Sequence, residues 1–326
     1  MTTVDGAAVT EVAAVGDSVL TAVGEVVVGR RRTLRLAVAA VLAGGHVLLE
    51  DVPGLGKTLM ARSLAQALGL EFRRLQCTPD LLPADVTGSF LYDPAGREFT
   101  FRHGPVFAGL LLADEINRTP PKTQSALLEA MQERQVTVEG RTFPLPRPFH
   151  VLATANPVEY EGTYPLPEAQ LDRFLLRLDV GYPPAAEELE VLRRRLSRQR
   201  EETEIAAVVD AAQLARLQAG VEQVRVDEDV LRYCVDLVAA TRQHPAVEIG
   251  ASPRGSLALT LVSRALAVLD GRDFVVPEDV KECAVAGLAH RLTLRPETWT
   301  SGTTGVDVVT ELLDKVPGPS STRAAR

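Results

Sequence analysis

The sequence predicts an α/β protein: a parallel sheet wound with helices around a phosphate loop, followed by a smaller helical domain. Three observations carry this. A glycine-rich turn, Gly54-Leu55-Gly56-Lys57-Thr58, stands between an apolar run at residues 46–50 and a helical pattern at 59–68. Largely apolar runs at 109–113, 150–154 and 174–178 read as strands buried on both faces, and helical stretches alternate with them. Beyond Pro183-Pro184 helical periodicity takes over.

The elements follow in order. Residues 9–27 form a leading helix of small apolar residues, and Val28-Gly29-Arg30 follows. A second helix at 33–42 stops at Gly44-Gly45. After the phosphate loop and its helix, residues 71–76 make a second strand. Residues 89–92 and 97–102 alternate around Asp93-Pro94-Ala95-Gly96 and read as a β-hairpin. A two-residue loop at Pro94-Ala95 would pair Tyr92 with Arg97 and Phe90 with Phe99. Phe90, Tyr92, Phe99 and Phe101 then share one face. That face either packs on its own domain or meets a partner. Residues 121–133 are helical, and 135–138 with 141–145 flank Glu139-Gly140 as a second hairpin. Helices at 186–200, 211–221, 227–241, 256–269 and 278–288 make up the second domain, without a buried strand. The expected division is 1–183 for the nucleotide-binding domain and 184–316 for the helical domain. Residues 317–326, opening with Pro317-Gly318-Pro319, form a disordered tail.

The phosphate loop has a physical basis at each position. Gly54 and Gly56 allow backbone angles that aim consecutive N–H groups at phosphate. The helix that follows adds its positive end. Lys57 reaches the β/γ-phosphates, and the Thr58 hydroxyl can ligate Mg²⁺. Pro53, Leu55 and Leu59 complete the loop. The first glycine of the usual pattern is Asp51 here.

Composition narrows the class. The chain has 326 residues, 46% hydrophobic and 24% charged, as in ordinary globular proteins. The 43 acidic and 35 basic residues leave a net charge of −8, which argues against a nucleic-acid partner. Cys77, Cys234 and Cys283 lie far apart, form no metal spacing and point to a reducing cytoplasm. The first residues lack the basic region of a signal peptide, and no apolar run spans a bilayer.

Four further places carry chemistry. Asp114-Glu115 ends an apolar strand, in the crevice where the phosphate loop opens. Asp114 can hold Mg²⁺, and Glu115 can activate water. Asn156, after the next strand, can bond the water or the γ-phosphate, or simply make a turn before Pro157. Arg173 resembles an arginine finger that completes a neighbour's site, or it pairs with Asp172 or Glu168. Arg254, near a helix start, can touch the γ-phosphate from the helical domain or serve as a helix-end cation.

Taken in order, Gly54 to Thr58, Asp114-Glu115, Asn156, Asp172-Arg173-Phe174 and Ser252-Pro253-Arg254 resemble the AAA+ ATPases, and specifically the MoxR family. Residues 78–85, 114–118, 127–133 and 155–157 look like that family's distinctive stretches, and the likeness runs from about Val28 to the last helix. The resemblance implies ATP and Mg²⁺ as cofactors and a parallel-sheet AAA+ core with a helical lid. It implies Walker A, Walker B, sensor 1, finger and sensor 2 roles for Lys57/Thr58, Asp114/Glu115, Asn156, Arg173 and Arg254. Val28 and Gly29 resemble the segment that borders adenine. The resemblance further implies a ring, normally a hexamer, that remodels or matures a protein partner, commonly one with a von Willebrand factor A domain. Three other functions compete. A GTPase or small-molecule kinase would lack its guanine motif and leave Arg173 and Arg254 without a role. A nucleic-acid motor or transcription activator sits badly with the acidic balance. An ATP-gated scaffold would not need Glu115.

Overall fold

Five parallel strands fix which rim of the molecule carries the glycine-rich loop. The fold is given by a computed structural model, which describes residues 6–50, 52, 54–156, 162–199 and 205–319. Asp51, Pro53 and Pro157 lie outside the described residues, as do residues 320–326 of the expected tail. Helices α1 (Gly6–Gly24) and α2 (Arg31–Leu42) lead into β1 (Val47–Glu50). Then come α3 (Lys57–Ala67), β2 (Phe72–Gln76), a short α4 (Pro83–Thr87) and the hairpin of β3 (Gly88–Asp93) and β4 (Glu98–His103). Next are β5 (Leu110–Asp114), α5 (Pro121–Glu133), and the second hairpin of β6 (Gln135–Val138) and β7 (Arg141–Pro144). β8 (His150–Ala155), α6 (Glu168–Leu171) and β9 (Leu176–Leu178) close this part.

The main sheet has the order β2-β5-β8-β1-β9, and all its pairings are parallel. Its central strands β1, β5 and β8 read as largely apolar runs because both faces are covered, whereas the edge strand β2 keeps exposed polar residues. Leu110 and Leu112 of β5 join one apolar core, with α1, α2 and α3. Leu111 and Ala113 join the other, with α5. The period of two thus divides one strand between two cores. Parallel strands also bring all their C-terminal ends to one rim. The phosphate loop after β1 and Asp114 at the end of β5 share it, the usual place for ligands in such sheets.

The helical part comprises α7 (Ala185–Arg198), α8 (Ala211–Val221), α9 (Glu228–Gln243), β10 (Val247–Ile249), α10 (Pro253–Leu269), α11 (Pro277–Leu288), β11 (Thr293–Leu294) and α12 (Gly305–Lys315). The antiparallel pair β10–β11 and helix α12 are additions to the sequence reading. Helix α12 has a legible start: Thr304 Oγ accepts from the Asp307 N–H at 3.2 Å, and Asp307 accepts from the Thr304 N–H at 2.8 Å. The aperiodic stretch before it hid this signal. Helix α1 packs on α10, α8 and α3, so one apolar core runs through both parts of the chain.

Two local expectations are corrected. The leading helix ends at Gly24, not at residue 27. Arg194 of α7 donates to the Gly24 and Glu25 carbonyls at 3.0 and 2.8 Å, satisfying the exposed end of α1. The first hairpin is also longer-looped than expected. Its register pairs Tyr92 with Phe99 and Phe90 with Phe101, leaving four residues in the loop. Proline at the first loop position cannot take the positive φ that two-residue hairpin turns need. Instead Arg97 adopts φ 49°, and Asp93 Oδ1 accepts from the Ala95 N–H at 2.9 Å. The second hairpin, with Glu139 and Gly140 at φ 50° and 76°, does use the two-residue form. A shift of two residues preserves the face, so the four aromatics still stand together. Phe101 stacks on Phe143 of the second hairpin at 4.0 Å, while Tyr92 and Phe99 at the tip are 53% and 67% exposed.

Candidate active site

The loop after β1 takes its shape from two glycines. Gly54 and Gly56 have φ of 85° and 82°, left-handed angles that strain any residue with a Cβ. Gly56 immediately precedes α3, so Lys57 and Thr58 occupy its first turn, where backbone N–H groups lack helical partners. An anion seated there meets both those donors and the positive end of the helix.

Asp114 stands across from Thr58, with its Oδ2 3.5 Å from the Thr58 hydroxyl. Its other oxygen, Oδ1, accepts from the Thr154 hydroxyl at 2.7 Å. Arg74 of β2 donates to Oδ2 through Nε at 3.0 Å and Nη2 at 2.7 Å. The two strands put this pair together directly, since Gln76 stands opposite Asp114 in the ladder. Glu115 follows at φ 61°, a left-handed angle that is uncommon for a non-glycine residue. Its N–H donates to Thr154 Oγ at 2.7 Å. Its Oε2 accepts from Gln76 Nε2 at 3.1 Å and from Arg118 Nη1 at 3.2 Å. Strain of this kind persists only where surrounding bonds hold it, and it clusters at functional sites. Asn156 is buried beyond the end of β8, and its carbonyl accepts from Asn117 Nδ2 at 3.1 Å. Arg74, Gln76, Thr154 and Arg118 were not among the expected site residues. Strand pairing brings Arg74, Gln76 and Thr154 to the carboxylates, which no local pattern in the sequence announces, while Arg118 reaches Glu115 from three residues on in the turn after β5.

The donor set suits Mg²⁺. Neighbouring ligands of an octahedral Mg²⁺ at about 2.1 Å lie roughly 3 Å apart, close to the Thr58–Asp114 separation. Mg²⁺ usually takes one or two protein carboxylates and completes its shell with phosphate and water. Among the described residues no group of three or more His, Cys, Asp or Glu could hold a metal alone.

A cavity of about 460 Å³ opens beside the loop, within the range of small-molecule sites. Val28, Gly54, Leu55, Gly56 and Leu59 line it, together with Tyr182, Val191 and Leu192 of the segment that opens the helical part. Its wall is largely apolar and suits a flat base. Gly29 lies beside it at a left-handed φ of 70° that favours glycine. Arg30 then donates to the Tyr182 carbonyl at 3.0 Å and to that of Gly181, tying α2 to the start of α7.

Arg173 and Arg254 are elsewhere. Arg173 precedes β9, and the Leu175 N–H bonds the carbonyl of His46, just before β1. Both therefore stand at the N-terminal rim of the sheet, opposite the phosphate loop. Arg254 lines the same cleft as Arg173 and approaches Asp172 at 3.8 Å. It does not line the cavity beside its own phosphate loop. Asp172 is the clasp here. Its Oδ1 accepts from Arg291 Nε at 2.8 Å and its Oδ2 from the Ser252 hydroxyl at 3.1 Å. Ser252 also caps α10, accepting from the Arg254 N–H at 3.1 Å. Phe174 is fully buried. The triplet Asp172-Arg173-Phe174 thus anchors itself on both sides and holds Arg173 between the anchors. Among the described residues no carboxylate pairs with the Arg173 guanidinium.

Known proteins bear on this arrangement. A family model for the ATPase family associated with various cellular activities (AAA) matches residues 46–176, and a model for the AAA lid domain matches 239–312. The chain is 51% identical to the uncharacterized protein YeaC of Bacillus subtilis, over 93% of this chain and 95% of that one. It is 46% identical to the chaperone MoxR1 of Mycobacterium tuberculosis, over 83% and 74%, and 33% identical to the protein MoxR of Methylorubrum extorquens, over 84% and 86%. A crystal structure of a Cytophaga hutchinsonii protein assigned as an ATPase superposes with a TM-score of 0.89 at 40% identity, covering 96% and 97% of the two chains. With an α/β core, a helical lid and relatives that match through both, the chain belongs to the MoxR family of AAA+ ATPases.

Proposed function

We propose that this chain hydrolyses ATP as a head-to-tail ring, normally a hexamer, and uses the cycle to remodel or mature a protein partner. One observation supports the reading: the residues we assign to one site stand on opposite rims of one sheet. Lys57, Thr58, Asp114 and Glu115 are at the C-terminal ends of the strands, while Arg173 and Arg254 are at the other rim. A five-residue strand such as β5 is about 16 Å long, beyond the reach of an arginine side chain. A neighbour in a ring can bring one rim to the other.

In this proposal Pro53 to Leu59 wrap the phosphates, and Val28 and Gly29 border the adenine. Lys57 neutralises the β/γ-phosphates. Thr58 and Asp114 hold Mg²⁺, which when bound offsets the charge on the transferred phosphate. Glu115 takes the proton of the attacking water, and Asn156 orients that water or the γ-phosphate. Arg173 and Arg254 of the adjacent subunit meet the charge that develops on the leaving phosphate. Residues 1–183 act as the nucleotide-binding domain and 184–316 as its lid. The exposed Tyr92 and Phe99 support a partner-facing role for the first hairpin, and a von Willebrand factor A domain protein is the partner we favour. Three buried, free thiols fit work in the cytoplasm. No helix among the described residues is long and apolar enough to cross a membrane.

Turnover and binding measured together test this. Glu115→Gln should still bind ATP, with hydrolysis lowered about 10²–10⁴-fold. Lys57→Ala should lose nucleotide affinity. Mixing Lys57→Ala with Arg173→Ala subunits should restore part of the activity, since one interface then joins an intact loop to an intact finger. Wild-type turnover by a protein that stays monomeric with ATP would exclude the ring.

A further inference from the structure

The cleft at the N-terminal rim is lined by a further arginine. Arg134 ends α5 and lines the cleft together with Arg173 and Arg254. Its backbone is left-handed, with φ 52°. A helix that ends this way normally does so on glycine, because a Cβ is strained there. Arg134 therefore stands where the local backbone disfavours it. Its N–H donates to the Ala130 carbonyl at 2.9 Å, so the strained turn is held as part of the helix end. Its Nη2 donates to the Gly44 carbonyl at 3.1 Å, which fixes the guanidinium against the segment before β1. Among the described residues no carboxylate pairs with it. The cleft is lined by four arginines, 134, 173, 254 and 291, and one carboxylate, that of Asp172. Asp172 is engaged by buried Arg291 at 2.8 Å. An uncompensated cluster of this kind is complementary to a polyanion.

We propose that Arg134 is a third arginine acting across the subunit boundary, contacting the terminal phosphates of the neighbour's nucleotide beside Arg173 and Arg254. This rests on the ring reading above. A planar guanidinium can hold two phosphate oxygens at once, which suits a site where charge is spread over several of them. The strain at φ 52° is then the accompaniment of placing a long cation where glycine would be the easier choice.

The test uses Arg134→Gly, which relieves the backbone while removing the cation. Its denaturant midpoint should hold or rise, whereas turnover per subunit should fall about 10²-fold, as when one transition-state donor is lost. Affinity of the monomeric protein for ATP should not change. Arg134→Lys, which keeps the charge, should recover part of the loss. Mixing separates the rims. Arg134→Gly with Lys57→Ala should regain activity, while Arg134→Gly with Arg173→Ala should not, because no interface then has both arginines. The Lys57→Ala with Arg173→Ala mixture is the control. Its failure removes the ring reading and this proposal together. If the control recovers and Arg134→Gly turns over like wild type, or if Arg134→Gly recovers with Arg173→Ala, Arg134 has no part in the neighbour's site.

Discussion

Asp172 offers a sharp test of how the rim is held together. Its carboxylate accepts from Arg291, whose side chain is 3% exposed, and from Ser252 at the start of α10. Burial pulls the Arg291 pKa below its ordinary value, and the Asp172 charge opposes that pull. Replacing Asp172 with Ala leaves a cation buried among carbonyls. Arg291 keeps bonds to the carbonyls of Phe174, at 2.7 Å, and Gly287, but loses its only counter-charge among the described residues. Breaking a buried pair by removing one partner typically costs 3–5 kcal/mol. Asp172 is 19% exposed, so water relieves part of this, and we expect Asp172→Ala to lose about 2–4 kcal/mol. Asp172→Asn, which keeps an acceptor, should lose about half as much. Urea unfolding of the purified chain, followed by circular dichroism and fluorescence together, measures both. The double variant Asp172→Ala with Arg291→Met should be more stable than Asp172→Ala alone, because the stranded charge is gone. A loss under 1 kcal/mol for Asp172→Ala, or no gain in the double variant, would show that Asp172 does not clasp the lid.

Two other outcomes follow from buried hydrogen-bonding side chains. Thr154→Val keeps the shape but removes the hydroxyl that joins Asp114 Oδ1 to the Glu115 N–H, both at 2.7 Å. We expect a loss of about 1–3 kcal/mol and a fall in turnover of at least ten-fold, since the strained Glu115 backbone loses its support; unchanged turnover by the folded variant would detach Thr154 from the site. Acid should also weaken the fold. His46 accepts from the Val151 N–H at 2.9 Å, and His150 lies against the Gly45 carbonyl at 2.9 Å. Both are buried and neutral, which pushes their pKa down to about 3 and about 4. The unfolded chain takes up these protons near pH 6.5, so their stabilisation is complete above that and is lost as pH falls toward 4. Between pH 7.5 and 5 the two together should cost about 4 kcal/mol, read as a falling urea midpoint; a midpoint independent of pH across that range would contradict it.

The sequence by itself determined the elements whose signals are local. The phosphate loop was legible because Gly54 and Gly56 must take left-handed angles and Lys57-Thr58 must open a helix. β5 and β8 were legible because strands buried on both faces have no polar side to show. The second hairpin was legible in Glu139-Gly140, a pair that tolerates two positive φ values. Even the misplaced register of the first hairpin kept its aromatic face, since a shift of two leaves the pleat unchanged. Only the tertiary structure decided how that face divides, with Phe101 stacked on Phe143 and Tyr92 and Phe99 left in water. Only strand order brought Arg74 and Gln76 of β2 to Asp114 and Glu115, some forty residues on. Only the packing of α10 against the rim set Arg254 beside Arg173 rather than beside Lys57. Local patterns report backbone angles and burial, which each residue feels from its neighbours. Which charges meet depends on how separate elements dock, and no short stretch of sequence contains that.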